Sequence, residues 1–305
     1  MTSSNINQTN FNMMYTIPSQ LQSKVQGSGY VIKPDEINNA TDDTFESNIN
    51  VVAHRGYCEE MPENTISSFK AAAEAGFSTI ECDVSWTKDG VPVILHDKII
   101  NRTARMPDGQ KISEKLKCSA LNYEELKEFD FGIYKGEQYA GEKIPSFFEM
   151  LDCAKENNLN VYVELKDYSG FGAEKAKLLV QSVIDAGLED NITWISFKPE
   201  HLKLISQYLP EARLGLLHEK SVSEKTIETL ETLKNGENEV FLDLKFSKMT
   251  PFVNEILDKN NIPFEAWTLN DGLYLKDLYE YGCEGITTDR LTDNFVDAYL
   301  DIFYD

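Results

Sequence analysis

His54 and His96, two of the four histidines in the chain, each stand directly before a charged residue. His54 precedes Arg55 and Gly56, and His96 precedes Asp97. An imidazole has an ordinary pKa of about 6.5 and can therefore take up or release a proton near neutral pH. His54 taken alone could be a core histidine whose hydrogen bonds are satisfied. Core packing does not require a histidine followed by a charged residue at two predicted strand ends, so the pair predicts a chemical role.

Three carboxylates are placed to converge. Glu81 and Asp83 are two residues apart in a predicted strand, so both point to one face, and Glu164 precedes Lys166 in the same way in a later strand. Buried carboxylates repel unless protons or cations neutralise them. Salt bridges to lysine or arginine are one solution, including a Glu164 to Lys166 pair. Three oxygen ligands without sulfur otherwise predict one hard divalent cation, Mg²⁺ or Ca²⁺.

Eight short apolar runs, rich in β-branched or aromatic residues, alternate with amphipathic runs of helical length. The predicted strands are 50–54, 79–83, 161–166, 192–197, 213–217, 239–242, 264–268 and 285–287. The predicted helices are 65–75, 146–157, 173–186, 199–208, 223–233, 251–259, 273–281 and 293–303. This order predicts an α/β protein, a (β/α)8 TIM barrel, with the carboxyl ends of all its strands at one face.

Two segments depart from the regular barrel pattern. Residues 1–47 are rich in Asn, Ser, Thr and Gln and predict an N-terminal extension, partly disordered, before a barrel domain over 48–305. After the second strand, residues 91–96 predict an extra short strand that returns His96 towards Glu81 and Asp83. Residues of about 98–143 are too many for an ordinary loop and predict an insertion.

Composition narrows the partners. The chain has 51 acidic and 29 basic residues, a formal charge of -22, which disfavours nucleic acid and anionic membranes. No run is apolar enough to span a membrane, so we expect no stable membrane association. Five cysteines, an odd number without C-x-x-C spacing, predict a reduced compartment. Because the N-terminus lacks a secretory pattern, we expect a cytoplasmic location. The oligomeric state is not readable.

In their order along the chain, these residues resemble the glycerophosphodiester phosphodiesterase family, over roughly residues 50–292. The motifs that carry the resemblance are His54-Arg55-Gly56, Pro62-Glu63-Asn64-Thr65, Glu81-x-Asp83, Asp89-Gly90-x-Pro92-Val93, His96-Asp97, Glu164-x-Lys166, Ser196-Phe197, Trp267-Thr268-x-Asn270 and Thr288-Asp289.

The resemblance implies a metal-dependent enzyme that hydrolyses a small glycerophosphodiester to sn-glycerol 3-phosphate and an alcohol. It implies that His54 and His96 are the general acid and base. Arg55 and Lys166 would bind the phosphate, and Trp267 would pack against the glycerol. The same resemblance implies that the divalent ion is held by Glu81, Asp83 and Glu164.

Other interpretations of the sequence stay open. A phospholipase D-like enzyme acting on lysophospholipid or sphingomyelin could use the same barrel, histidines and metal. A barrel that binds glycerol phosphate without catalysis is a third class. Within the enzyme interpretation, the sequence does not say which histidine acts first as base. It also does not separate attack by the substrate's own hydroxyl, through a cyclic phosphate, from direct attack by water.

Overall fold

The computed structural model describes residues 49–166 and 170–303. Nine β-strands lie within these residues. The predicted N-terminal extension, 1–47, lies outside these residues. The strands are β1 (Asn50–Ala53), β2 (Thr79–Trp86), β3 (Pro92–Ile94), β4 (Asn160–Leu165), β5 (Ile192–Ser196), β6 (Arg213–His218), β7 (Val240–Lys245), β8 (Phe264–Trp267) and β9 (Gly285–Thr288).

Eight of these strands form a closed parallel barrel. Each pairs with the next in chain order, apart from β3, and β1 pairs in parallel with both β2 and β9. Val52, for example, lies opposite Thr79 on one side and Thr287 on the other. The (β/α)8 prediction and all eight predicted strands are confirmed. The extra strand is confirmed as β3, which runs antiparallel to β2.

A helix follows each strand of the barrel on its outer side. The helices are α1 (Ile66–Glu74), α2 (Tyr123–Lys127, in the insertion), α3 (Phe147–Glu156), α4 (Ala173–Ala186), α5 (Pro199–Tyr208), α6 (Glu224–Glu231), α7 (Pro251–Lys259), α8 (Leu275–Glu280) and α9 (Asp293–Phe303). Their starts follow local chemistry: Ser146 forms a capping box with Glu149, and proline begins α5 and α7. Among the described helices, none has the length and apolar character needed to cross a membrane.

Strand alternation divides the interior into two layers. In β2, Ile80 and Cys82 join the main core between strands and helices, whereas Glu81 and Asp83 point into the barrel. A smaller apolar cluster, which includes Val52, fills the barrel itself. The polar side chains above this cluster are therefore held at a fixed depth below the carboxyl-terminal mouth.

The insertion packs against the loop between β1 and α1. It has its own small core, which includes Ile100, Leu126 and Phe131. The Tyr134 hydroxyl accepts a hydrogen bond from the Glu63 backbone N–H at 3.1 Å, and Lys135 donates to the Cys58 carbonyl at 2.7 Å. The insertion thus supports the loop that begins with His54.

Candidate active site

The three predicted carboxylates converge inside the mouth of the barrel. Glu81 and Asp83 of β2 and Glu164 of β4 each bring an oxygen within 4.8 Å of the others, and all three side chains are buried. Lys166 lies 2.9 Å from Asp83 Oδ1 and 2.6 Å from Glu164 Oε2. Arg55 Nε lies 3.4 Å from Asp83 Oδ2. The structure therefore contains both the carboxylate cluster and the salt bridges that were its alternative.

The charges in this cluster do not balance. Burial raises the pKa of Glu81 well above its usual range, and the Asp83 and Glu164 carboxylates raise it further. Burial likewise raises the pKa of Glu164, to about 7. Burial would also raise the pKa of Asp83, but Lys166 and Arg55 hold it below its usual range. Two cations thus keep one carboxylate ionised and leave the other two short of positive charge.

The donor set fits a hard divalent cation. Asp83 Oδ1 is buried and accepts no hydrogen bond, although the Lys166 ammonium lies beside it. Asn64 donates to the other oxygen, Oδ2, at 2.7 Å and so fixes the carboxylate plane. Carboxylate oxygens are the ligands that Mg²⁺ and Ca²⁺ prefer. A cation bound here would supply the positive charge that Glu81 and Glu164 lack.

His54 is held by Asp289, which follows β9. Its Nδ1 lies 2.5 Å from Asp289 Oδ1, and its Nε2 lies 3.8 Å from Glu81 Oε2. Burial would raise the pKa of Asp289, but the hydrogen bonds from His54 and Asn270 lower it below its usual range. An ionised carboxylate can only accept, so His54 Nδ1 must donate. Its Nε2 is left to face the carboxylate cluster.

His96 repeats this arrangement beside the cluster. Leu95 N–H donates to the Asp83 carbonyl at 2.8 Å, so β3 does return the chain to β2. His96 Nδ1 lies 2.7 Å from Asp97 Oδ1. Burial lowers the pKa of His96, and the Lys166 and Arg55 charges lower it further, against the opposing effect of Asp83. The imidazole is therefore neutral at pH 7.

An ion-pair network joins Arg55 to the insertion. Arg55 donates to Glu63 at 2.8 Å, and Arg102 of the insertion contacts both Glu63 and Asp97 at 2.5 Å. The tight turn after β1 aims Arg55 inward: its φ is 56° and that of Gly56 is 78°. A Cβ on Gly56 would lie 2.4 Å from Ser68 Oγ, so this turn requires glycine.

Trp267 lies at the end of β8 among apolar side chains. Its indole N–H donates to the Asp243 carbonyl at 3.0 Å, and Phe197 meets its ring edge-on with centroids 5.7 Å apart. Phe246 and Tyr274, in the loops after β7 and β8, are in tilted contact with ring centroids 5.6 Å apart. These residues give the mouth an aromatic side. Of the exposed large apolar side chains in the described residues, only Met106 belongs to the insertion.

Asp289, Asp97 and Arg102 received no role from the sequence. The sequence did contain a signal for Asp289, because Thr288-Asp289 lies at the end of the last strand and is one of the motifs that carry the family resemblance. Asp97 was visible as the neighbour of His96. Arg102 sits in the insertion with no strand pattern around it, and nothing in the sequence ties it to Glu63. The other predicted residues lie at the mouth: the cations Arg55 and Lys166 and the histidines adjoin the carboxylates, whereas Trp267 lies among the aromatic residues.

The chain is similar to known phosphodiesterases in both sequence and fold. Residues 54–292 match the profile of the Glycerophosphoryl diester phosphodiesterase family. Glycerophosphodiester phosphodiesterases from Caldanaerobacter subterraneus and Bacillus altitudinis are each 28% identical over 78% of this chain, covering 93% and 94% of those proteins. An Oleispira antarctica phosphodiesterase, solved in complex with the product sn-glycerol-3-phosphate, is 24% identical, with TM-score 0.68 over 83% of this chain and 96% of its own. A glycerophosphodiester phosphodiesterase structure from Agrobacterium tumefaciens has TM-score 0.63 at 19% identity, over 82% and 99%.

Proposed function

This chain belongs to the glycerophosphoryl diester phosphodiesterase family, which is a family of hydrolases, and we propose that it cleaves glycerophosphodiesters to sn-glycerol 3-phosphate and an alcohol. One observation carries the proposal. Two histidines, each with Nδ1 held by a carboxylate, lie beside a buried cluster of three carboxylates that is short of positive charge. The product bound in the Oleispira antarctica structure supports the choice of product.

The two histidines would transfer the protons. His96 is neutral at pH 7 because burial lowers its pKa, so we assign it to remove the proton from the attacking hydroxyl. His54, with Asp289 to stabilise its charged form, would protonate the oxygen of the leaving alcohol. These positions suit a mechanism in which one imidazole gains a proton as the other loses one.

The cations would act on the phosphate. A divalent cation held by Glu81, Asp83 and Glu164 would supply charge stabilisation to the phosphate oxygens. Lys166 and Arg55 already lie against these carboxylates, which places two further positive groups where the phosphate would bind. In a chain of net charge -22, an anionic substrate needs such a local concentration of positive charge.

We expect removal of divalent cations to abolish turnover. The three carboxylates leave a deficit of positive charge that Lys166 and Arg55 do not fill. The experiment is dialysis against EDTA, then titration with Mg²⁺ or Ca²⁺, while release of sn-glycerol 3-phosphate is followed by a coupled assay. Circular dichroism of the EDTA-treated protein should show that it remains folded. Full activity in a sample shown to be free of metal would contradict the proposed metal dependence.

We expect Trp267→Ala to weaken all glycerophosphodiesters alike. The indole is fixed by Phe197 and by the Asp243 carbonyl, so it can offer a rigid apolar face to the glycerol carbons that all these substrates share. The choline, ethanolamine and inositol esters should each lose a similar factor in kcat/KM, about tenfold. Tyr208→Ala, which removes a ring at the far end of α5, is the control. A loss confined to one ester would assign Trp267 to the leaving alcohol instead.

The aromatic side of the mouth favours lysophospholipid as a second substrate class. Phe197, Leu273 and Tyr274 are exposed in the loops after β5 and β8, and an acyl chain could cover them. The insertion, by contrast, exposes only Met106 among its large apolar side chains. Turnover of lysophosphatidylcholine measured beside glycerophosphocholine separates the two substrate classes.

A further inference from the structure

Cys58 lies in the loop after β1, beside the groups that hold His54. All five cysteines fall within the described residues; each is unpaired, and only Cys58 is partly exposed. Its Sγ donates to Asp289 Oδ1 at 3.5 Å, and that oxygen also contacts His54 Nδ1 at 2.5 Å. The proposed hydrolysis gives Cys58 no task.

Three different metal-binding atoms therefore meet at this point. His54 Nδ1, Cys58 Sγ and an Asp289 carboxylate oxygen all lie within 4.8 Å of one another. We propose that His54, Cys58 and Asp289 form an inhibitory site for a divalent cation of the zinc class, separate from the carboxylate cluster. Nitrogen and sulfur donors select zinc over Mg²⁺ or Ca²⁺, whereas the Glu81, Asp83 and Glu164 cluster has oxygen donors only.

The distances suit a tetrahedral ion after a small movement. Bonds of about 2.0 to 2.3 Å place the ligands of tetrahedral zinc about 3.3 to 3.6 Å apart. The separation of Cys58 Sγ and Asp289 Oδ1, 3.5 Å, already fits. His54 Nδ1 must move away from Asp289 Oδ1 to admit the ion. The side chains of His54 and Asp289 are 20% and 35% exposed, so an ion can enter from the mouth and keep water as its fourth ligand.

Binding of the ion would release protons from Cys58 and His54. The thiol proton of Cys58 is released to solvent, because a coordinated thiol is deprotonated by the metal. His54, which as the general acid carries a proton on each nitrogen, releases its Nδ1 proton to solvent where the ion binds and keeps the proton on Nε2. Burial, then the nearby Asp289 carboxylate, raises the pKa of Cys58, so without metal this residue stays a thiol rather than a reactive thiolate.

Occupation of this site would stop catalysis, an expectation that rests on the proposed function of His54. A neutral imidazole with Nδ1 on a metal has its only proton on Nε2 and cannot gain a second. It is then too weak an acid to protonate a leaving alcohol and has no free nitrogen to act as a base. Asp289, now a ligand, no longer accepts from Nδ1.

The test uses Cys58→Ser, with Cys58→Ala as a second variant, in the presence of saturating Mg²⁺. Co²⁺ added to the wild-type protein should give a sulfur-to-cobalt charge-transfer band in the near ultraviolet, and neither variant should show it. This spectrum needs no turnover, so it tests the site even if the proposed hydrolysis fails. Zn²⁺ should inhibit the wild type, whereas the variants should keep normal basal activity and need at least about tenfold more Zn²⁺ for the same inhibition.

Two results would overturn the proposal. One is the absence of a thiolate band in wild-type protein that is shown by circular dichroism to be folded. The other is equal inhibition of the wild type and both variants by Zn²⁺, which would place the inhibitory ion at the carboxylate cluster. A thiolate band in a protein without phosphodiesterase activity would support the metal site and count against the proposed function alone.

Discussion

His54→Gln and His96→Gln are each expected to lower kcat by at least about 10²- to 10⁴-fold, the loss typical of removing a general acid or base. Glutamine keeps a polar side chain of similar reach but cannot exchange a proton near neutral pH. Both histidines are partly exposed at the mouth, with side chains 20% and 28% exposed, so neither replacement should leave a cavity in the core. The loss should therefore appear in turnover and not in folding.

His218→Gln is the matched control for this pair. His218 ends β6 and is partly exposed, and its Nε2 lies 3.3 Å from the Ser221 carbonyl oxygen. Steady-state kinetics and thermal melting of the three variants should separate it from the other two. Near-normal turnover in His54→Gln or His96→Gln would remove that histidine from the mechanism. A comparable loss in His218→Gln would mean that the assay reports a general effect on the barrel.

The pH profile gives an independent check on His96. Because burial lowers its pKa, the imidazole loses its proton below the ordinary value of about 6.5. If His96 is the base, the acid limb of the kcat/KM profile should reach half its height below pH 6.5. The residual activity of His96→Gln should lack this limb. A limb that persists in the variant would belong to another group.

Much of the fold and the carboxylate cluster could be predicted because both depend on local patterns. Alternation in β2 is enough to put Glu81 and Asp83 on one face, opposite Ile80 and Cys82. The parallel strands of a closed barrel must end at one mouth, and this brings Glu164 to the same place. The regular spacing of strands and helices was therefore sufficient for the prediction, without knowledge of any individual contact.

The partners of the histidines could not be predicted in the same way. Asp289 lies 235 residues after His54, and the two meet only because β9 closes the barrel beside β1. Strand alternation gives the direction of a side chain but not which loop ends will touch. The contact of Arg102 with Glu63 depends on the path of an irregular insertion, for which no repeating pattern exists to extrapolate.

Asp289→Asn is expected to lower kcat on the order of 10³- to 10⁴-fold, because it removes the acceptor that lets Nδ1 of His54 hold a proton. The side chain of Asn270 determines the orientation of the new asparagine side chain. Asn270 Oδ1 accepts from the Asp289 backbone N–H at 2.8 Å, so its Nδ2 must be the atom that donates to Asp289 Oδ2 at 2.7 Å. In the variant, the new carboxamide must turn its oxygen to Asn270. Its NH₂ group then faces His54 Nδ1, where the carboxylate had accepted a hydrogen bond.

An imidazole nitrogen that faces a donor must accept, so Nδ1 of His54 in Asp289→Asn cannot hold a proton. His54 would then carry a single proton, on Nε2, and could not take the doubly protonated form in which it acts as the acid. Nitrogen NMR of the labelled histidines measures this change directly, and a purely structural role for Asp289 would not produce it. KM should change little, because the carboxylate cluster and Arg55 are untouched. Cys58→Ser, which alters a different neighbour of Asp289, should retain normal kcat in a buffer that contains Mg²⁺ and no other metal ion. Normal turnover in Asp289→Asn, or lost activity with Nδ1 of His54 still protonated, would show that Asp289 does not act through the Nδ1 proton of His54.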